Sequence, residues 1–143
     1  MTLASLEARI AAATGPDREI DAEMWLMCFE PTCAHFNVTF HTEQYDSYIS
    51  REYIECDLGT MAVDQMEPPL LRYTSFLDDA VALLRKRRVR VRVEALPDGA
   101  GIASIYDADD KDGPACRAST PALALCLALV RAEMAREQEK RDE

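Results

Sequence analysis

The sequence has no apolar run long enough to cross a membrane. The longest run, Pro121–Val130, is about half of the ~20 residues that a spanning helix needs. The N-terminus also lacks a basic flank followed by an apolar run, so it does not resemble a secretory signal peptide. We therefore expect a protein without a membrane partner, located in the cytoplasm of the cell that makes it.

The motifs of the common enzyme classes are missing as well. There is no glycine-rich phosphate loop, no GxSxG turn and no HExxH helix. Of the 2 histidines, neither has an evident serine or cysteine to activate as a nucleophile. Carboxylates are so common that no particular pair stands out as an acid and base. We therefore predict a non-catalytic protein without a cofactor.

The cysteines favour free thiols. Their number, 5, is odd, and without a secretory signal a reducing compartment is expected. No CxxC pair is present, and the spacings match no common zinc module. An alternative is nevertheless a structural zinc domain, because thiolate and imidazole groups close tetrahedral zinc sites. Its candidate ligands are Cys28, Cys33, His35 and Cys56.

Charge is distributed unevenly along a chain whose net charge is -10. Residues 1–71 contain 13 acidic and 3 basic side chains, whereas residues 72–143 contain 13 of each. The acidity is thus a property of the N-terminal half. Net charge bears on solubility and partners rather than on fold. An acidic half disfavours nucleic acid there and permits a basic partner.

The acidic segment Glu43–Asp57 is interspersed with tyrosines and shows no clean periodicity, so we predict a loop with at most one helical turn. Tyrosine supplies anchor area at protein interfaces, and carboxylates steer a basic partner. The segment is therefore the predicted protein-binding site, and its partner a host or phage protein. The candidate residues are Glu43, Tyr45, Asp46, Tyr48, Tyr53 and Glu55.

A basic stretch, Arg85–Arg92, stands out in the acidic chain. Valines and arginines alternate from Val89 onward, which predicts a strand with valines buried and arginines in solvent. A Leu96–Gly99 turn and a returning strand Ile102–Tyr106 would complete a hairpin. The alternative function is nucleic-acid binding through Arg87, Arg88, Arg90 and Arg92. It is disfavoured because no aromatic residue is interleaved on that face to stack on bases.

The remaining pattern alternates helices with short strands and predicts an α+β domain with helices packed on a small, mainly antiparallel sheet. The first predicted helix is Thr2–Ala13, which Gly15 ends, and the second begins at Thr14 and Pro16 and ends before Pro31. The third is capped by Ser75 with Asp78, and the last by Thr120 with Pro121. Leu77, Ala80, Val81 and Leu84 are the predicted buried stripe of the third helix. Predicted strands, besides the hairpin, are Phe36–His41, Thr60–Gln65 and Ala115–Ala118.

Three segments, "LEARIAAATGPDREIDAEMWLMC", "YTSFLDDAVALL" and "ASTPALALCLALVRA", resemble the phage ABA-sandwich domain family, and the last is similar to phage NinX-like proteins. The resemblance implies an α/β/α sandwich, with helices on both faces of the sheet, and a small phage or prophage accessory protein in the cytoplasm of a bacterial host. The residues that carry the resemblance are helix caps and core residues, so the resemblance implies no catalytic residue. We expect a single domain over 1–143, a variable insertion at 29–71, a charged helical tail at 133–143, and a monomer or homodimer.

Overall fold

Four α-helices and six β-strands account for most of the residues described by the computed structural model, namely 2–30, 38–44, 50–56, 59–85, 89–106 and 114–142. The helices are α1 (Leu3–Ala12), α2 (Arg18–Phe29), α3 (Leu77–Ala82) and α4 (Pro121–Arg141). The strands are β1 (Thr39–Gln44), β2 (Ser50–Cys56), β3 (Gly59–Ala62), β4 (Arg90–Ala95), β5 (Gly101–Tyr106) and β6 (Cys116–Ala118). A short 3-10 helix, Val63–Gln65, follows β3.

The strands form two antiparallel sheets of three strands each. Sheet A has the order β1-β2-β3, and sheet B has the order β4-β5-β6. The predicted α+β class is confirmed, but the strands are divided between two sheets where the sequence predicted one. Within each sheet every strand pairs with its neighbour in sequence. Periodicity reveals a strand and its buried face but not which edges pair, so this division could not be predicted.

The helices connect the two sheets. Helix α2 contacts β1 of sheet A, α4 contacts all three strands of sheet B, and α1 contacts both of these helices. Residues Ala122–Val130 of α4 are buried all round because α1, α3 and sheet B surround them. Beyond residue 134 the helix is exposed, as predicted for the charged tail. Within the described ranges, no helix is both long and apolar enough to cross a membrane.

The helix caps confirm some predictions and correct others. Thr120 caps α4 by accepting a hydrogen bond from Leu123 N at 3.2 Å, with Pro121 in the first turn, as predicted. Helix α2 is capped by Asp17 rather than Thr14, since the Asp17 carboxylate accepts from two backbone N–H groups. Gly15 is not a left-handed cap, because α1 has already ended in the extended residue Ala13.

Helix α3 begins later than predicted. The chain makes a turn at 73–75, so Ser75 precedes the helix and Phe76 occupies the cap position without a side-chain hydrogen bond. Ala80 and Leu84 are buried, as predicted. Val81 of the predicted stripe is instead 41% exposed, and Leu83 is buried.

The segment predicted as a loop at 43–57 is largely a strand. It contains the end of β1 and all of β2 (Ser50–Cys56), which pairs with β1 and β3. Alternation is present, with Ile54 buried in the core between Tyr53 and Glu55. The alternation is not evident in the sequence because the inner-face residue two positions before Ile54 is the acidic Glu52 rather than an apolar residue.

Gly101 has no side chain because the start of α4 crosses β5 at this point. A Cβ atom on Gly101 would lie 2.3 Å from Pro121 Cα and 2.6 Å from Pro121 N. Both are backbone atoms and cannot rotate away. We expect Gly101→Ala to lower the free energy of unfolding by about 2–3 kcal/mol through overpacking, measured by urea titration. Gly15→Ala, where a Cβ meets nothing within 4 Å, is the control and should change stability little; equal costs at both positions would contradict the close-approach argument.

Candidate functional site

Strands β1 and β2 form a hairpin arm, defined as residues 39–44 and 50–56. Every described residue of β1 except Phe40 is exposed, and so are Ser50 and Arg51 at the start of β2. The far end of the arm is therefore exposed on both faces, whereas its base is held by Phe40 and Ile54, which pair with each other and pack on the core. Most of the described polar side chains of the arm are therefore in contact with solvent.

The outer face of the arm carries a mixed set of charged and aromatic side chains. Its central pair is His41 opposite Tyr53, with Glu43 opposite Arg51 on one side and Thr39 opposite Glu55 on the other. The His41 Nε2 and Glu55 Oε2 atoms lie 3.1 Å apart. The Arg51 guanidinium lies 6.0 Å from the centroid of the Tyr53 ring.

Three of the six residues predicted to bind protein share this outer face. Register and alternation place Glu43, Tyr53 and Glu55 on it together, because cross-strand partners point to the same side of a sheet. Tyr45, Asp46 and Tyr48 lie outside the described residues. The sequence prediction did not include His41 and Arg51. An alternating strand assignment at 50–56 would have placed Arg51 on the face of Tyr53 and Glu55, whereas His41 joins them only through the pairing of β1 with β2.

The alternative basic site lies on β4 of sheet B. Arg90 and Arg92 are exposed, while Val91 and Val93 between them pack against the core, as the alternation predicted. Arg87 and Arg88 lie outside the described residues. The turn also has the predicted chemistry, since Gly99 has a φ of 90° and Asp98 Oδ1 accepts a hydrogen bond from Ala100 N at 3.0 Å.

The exposed face of sheet B contains an aromatic residue and an arginine that the sequence prediction missed. Tyr106 pairs with Arg90 across β4 and β5, and Arg117 of β6 pairs with Ile102 on the same face. No aromatic is interleaved among the arginines of β4 itself, but the pairing of β4 with β5 places Tyr106 on the same face of the sheet.

The zinc alternative involves cysteines on two different elements. Cys28 lies in the last turn of α2 and Cys56 at the end of β2, and both are partly buried. Cys33 and His35 lie outside the described residues. Among the residues that the structure describes, no group of three or more histidine, cysteine or acidic side chains is placed to hold a metal ion. The site therefore stays a prediction.

An open groove of about 430 Å³ lies between the end of α1, the β4–β5 turn and β6. Its charged residues are Asp98 and Arg117, which pair with each other at 3.2 Å. The Ser119 hydroxyl in the lining donates to the Ala13 carbonyl at 2.8 Å.

Burial raises the pKa of two acidic side chains of α2. Glu23 and Asp21 are both fully buried on α2, and desolvation disfavours their ionised forms. The pKa of Glu23 is raised to about 7, although the ion pair with Arg9 lowers it in part. The pKa of Asp21 is raised despite hydrogen bonds from Thr74 and Arg18. These carboxylates lie inside the protein rather than at a surface, so they bear on stability.

Comparisons were made with models of known protein families, with curated proteins and with solved structures. None of the three gave a significant match to this chain.

Proposed function

We propose that this protein is a non-catalytic binding module of a phage or prophage, and that its hairpin arm docks on a basic surface of another protein. The phage context rests on the resemblance of the three segments described above. The observation that supports the docking site is the placement of Glu43, Tyr53 and Glu55 on one exposed face of the arm.

Charge favours a basic partner. The sequence of residues 39–56 contains four acidic side chains and one basic side chain, and the N-terminal half around it is strongly acidic. Complementary charge accelerates encounter and discriminates against acidic partners. Tyr53 lies between the two carboxylates and is partly buried. An aromatic ring at the centre of a patch is the typical position of an energetically dominant contact.

The contact between the His41 ring and the Glu55 carboxylate does not block this use. The side chains of His41 and Glu55 are 48% and 62% exposed. A pair this exposed contributes at most about 1 kcal/mol, because water screens it and two flexible side chains lose entropy. A basic partner that also buries Tyr53 therefore competes for the Glu55 carboxylate at little cost.

The test is a pull-down from a nuclease-treated bacterial lysate at two salt concentrations. We expect the wild-type protein to retain a discrete basic protein. The variant Glu43→Lys/Glu55→Lys and the variant Tyr53→Ala should each reduce its capture by roughly tenfold or more, the loss expected for a hot-spot contact. The matched control is Glu137→Lys/Glu139→Lys, which makes the same charge change on the exposed end of α4 and should leave capture unchanged.

Circular dichroism and thermal unfolding of each variant would show that the fold persists. Equal capture by the wild-type protein and both arm variants would contradict the proposal, as would equal loss in the α4 control. The variant Tyr45→Ala/Tyr48→Ala/Tyr53→Ala extends the test to the other predicted tyrosines.

A further inference from the structure

We propose that two copies of this chain associate through the outer edge of β4 and join their B sheets into one continuous antiparallel sheet. Sheet B has the order β4-β5-β6, so β4 is an edge strand. It is six residues long and pairs with β5 in an unbroken register from Arg90 to Ala95. Among the residues that the structure describes, no second strand pairs with it. The proposal does not depend on the function proposed for the hairpin arm.

The backbone groups of β4 point alternately towards β5 and away from it. At the turn, Leu96 N donates to Ala100 O at 2.8 Å, so Leu96 faces the returning strand. Antiparallel pairs alternate between those that exchange hydrogen bonds and those that do not. Residues 94, 92 and 90 therefore bond to β5, and the N–H and C=O groups of Val91, Val93 and Ala95 point outward. Within the described residues these outward groups form no hydrogen bond, so a further strand can pair with them.

The charges on β4 select one register for pairing with a second copy. In a two-fold antiparallel arrangement centred on Val93, the outward residues 91, 93 and 95 are opposite one another, as hydrogen-bonded pairing requires. Arg92 then lies opposite Glu94 of the second copy on each side of the two-fold axis, and cross-strand pairs of opposite charge are stabilising. A centre at Arg92 would place two arginines directly opposite each other, which is destabilising. The strand is thus complementary to itself in the register centred on Val93.

The side chains of β4 are placed for this association on both faces of the sheet. Arg92 and Glu94 are exposed, and neither forms a hydrogen bond or ion pair through its side chain within the described part of the chain. On the opposite face, Val91 and Val93 pack on the core and are only partly buried. Pairing brings Val93 beside its own copy and removes apolar surface from water, which is favourable.

The other described sheet edges are less suited to a second copy. Strand β6 has three residues and is contacted by α1, and β3 has four residues. Strand β1 is as long as β4, but it belongs to residues 1–71, which contain 13 acidic and 3 basic side chains. Two copies that met there would repel each other. Residues 72–143 contain 13 of each sign, so sheet B is the part that a second copy can approach without this repulsion.

The experiment is sedimentation velocity of the wild-type protein over roughly three decades of concentration. We expect a monomer at low concentration and a dimer at high concentration, because an interface of one strand pair is small and its complex is transient. Arg92→Glu and Glu94→Arg should each raise the Kd of the dimer by at least about tenfold, since like charges then face each other across the axis. Arg141→Glu and Glu139→Arg, on the exposed end of α4, are the matched controls and should leave the Kd unchanged.

Exchange of the charges provides a readout that a structural role for these residues would not change. In a mixture of the Arg92→Glu and Glu94→Arg variants, each carboxylate of one chain lies opposite a guanidinium of the other. The mixed dimer should therefore form more tightly than the dimer of either variant alone. The double variant Arg92→Glu/Glu94→Arg should recover the wild-type Kd, because it exchanges the signs and keeps opposite charges facing each other.

Val93→Pro tests the backbone pairing and should abolish the dimer. The Val93 N–H points away from β5, so proline removes no hydrogen bond within sheet B, and circular dichroism would show that the fold persists. The proposal is overturned if the wild-type protein stays monomeric at the highest concentration, or if the mixture of charge variants gains nothing over each variant alone. Glu43→Lys/Glu55→Lys separates the two proposals, because it should abolish protein capture and leave the Kd of the dimer unchanged. A dimer lost in that variant would place the contact on the hairpin arm and contradict the role of β4.

Discussion

Replacing Asp21 with alanine is expected to lower the free energy of unfolding by about 3–5 kcal/mol, the range found when one partner of a buried charged pair is removed. Asp21 has no exposed surface. Its Oδ1 atom accepts hydrogen bonds from Thr74 N and Thr74 Oγ1, each at 2.7 Å, and its Oδ2 atom accepts from Arg18 at 2.9 Å. Urea titration at neutral pH would measure the loss.

The cost is large because the carboxylate joins parts of the chain that are distant in sequence. It fixes the start of α2 to the turn before α3, where the Thr74 hydroxyl also accepts from Asp17 N at 2.9 Å. Arg18, held by Asp21, donates to the Leu71 carbonyl at 3.0 Å and lies 5.2 Å from the centroid of the Phe40 ring at the base of the hairpin arm. Alanine would leave the buried Thr74 N–H without its acceptor, which alone costs about 1–3 kcal/mol.

Two further variants separate the hydrogen bonds from the charge. Asp21→Asn keeps an acceptor for Thr74 and loses the ionic bond to Arg18, so we expect it to cost less than Asp21→Ala. Thr74→Val removes one donor and should show coupling with Asp21→Ala in a double-mutant cycle. A loss below about 1 kcal/mol for Asp21→Ala would show that water satisfies this site and that the network is not a major stabilising element.

The sequence predicted the parts of this fold that depend on local rules. Thr120 with Pro121 and the alternating valines of β4 each depend on contacts within a few residues of the chain, and the structure confirms them. The cap of α2 was assigned incorrectly because Thr14 and Asp17 are both good capping residues. The choice between them depends on Thr74, which is 57 residues away from Asp17. A rule based on neighbouring residues cannot predict that contact.

For the candidate sites too, the sequence predicted what depends on nearby residues and missed what depends on residues distant in the chain. Glu43, Tyr53 and Glu55 were predicted as a cluster from their proximity in sequence, and pairing of β1 with β2 places them on one face. Tyr106 and Arg117 were missed because they join Arg90 and Arg92 only through the register of three strands. Residues brought together by strand pairing can be predicted from sequence only after the pairing itself is known.

The second large effect expected is a loss of stability as the pH rises, caused by Glu23. This side chain is fully buried, and one of its oxygens, Oε2, has no hydrogen-bond partner among the described residues. Its other oxygen bonds to Arg9, whose guanidinium also lies 3.6 Å from Glu19. Arg9 is thus shared between two carboxylates and compensates only part of the desolvation of the buried one, so burial dominates and raises the pKa of Glu23 to about 7.

The direction of the effect follows from proton binding. The pKa of Glu23 is about 7 in the folded protein and 4.5 in its unfolded reference state, so the folded protein binds the proton more tightly. Stability from this group is fully present below pH 4.5 and falls between pH 4.5 and 7. A shift of this size corresponds to about 3 kcal/mol. Asp21, whose pKa is also raised by burial, acts in the same direction.

We therefore expect the wild-type protein to be about 2–3 kcal/mol less stable at pH 8 than at pH 5 because of Glu23, measured by urea titration across this range. Glu23→Gln carries no titrating proton, so its stability should match the wild-type value near pH 5 and exceed it at pH 8. Glu19→Gln removes the same charge from a side chain that is 44% exposed on the same arginine, and it should keep the wild-type slope. That control matters because self-repulsion in an acidic protein also grows with pH. If Glu23→Gln and Glu19→Gln flattened the slope equally, overall charge rather than the buried carboxylate would be its cause.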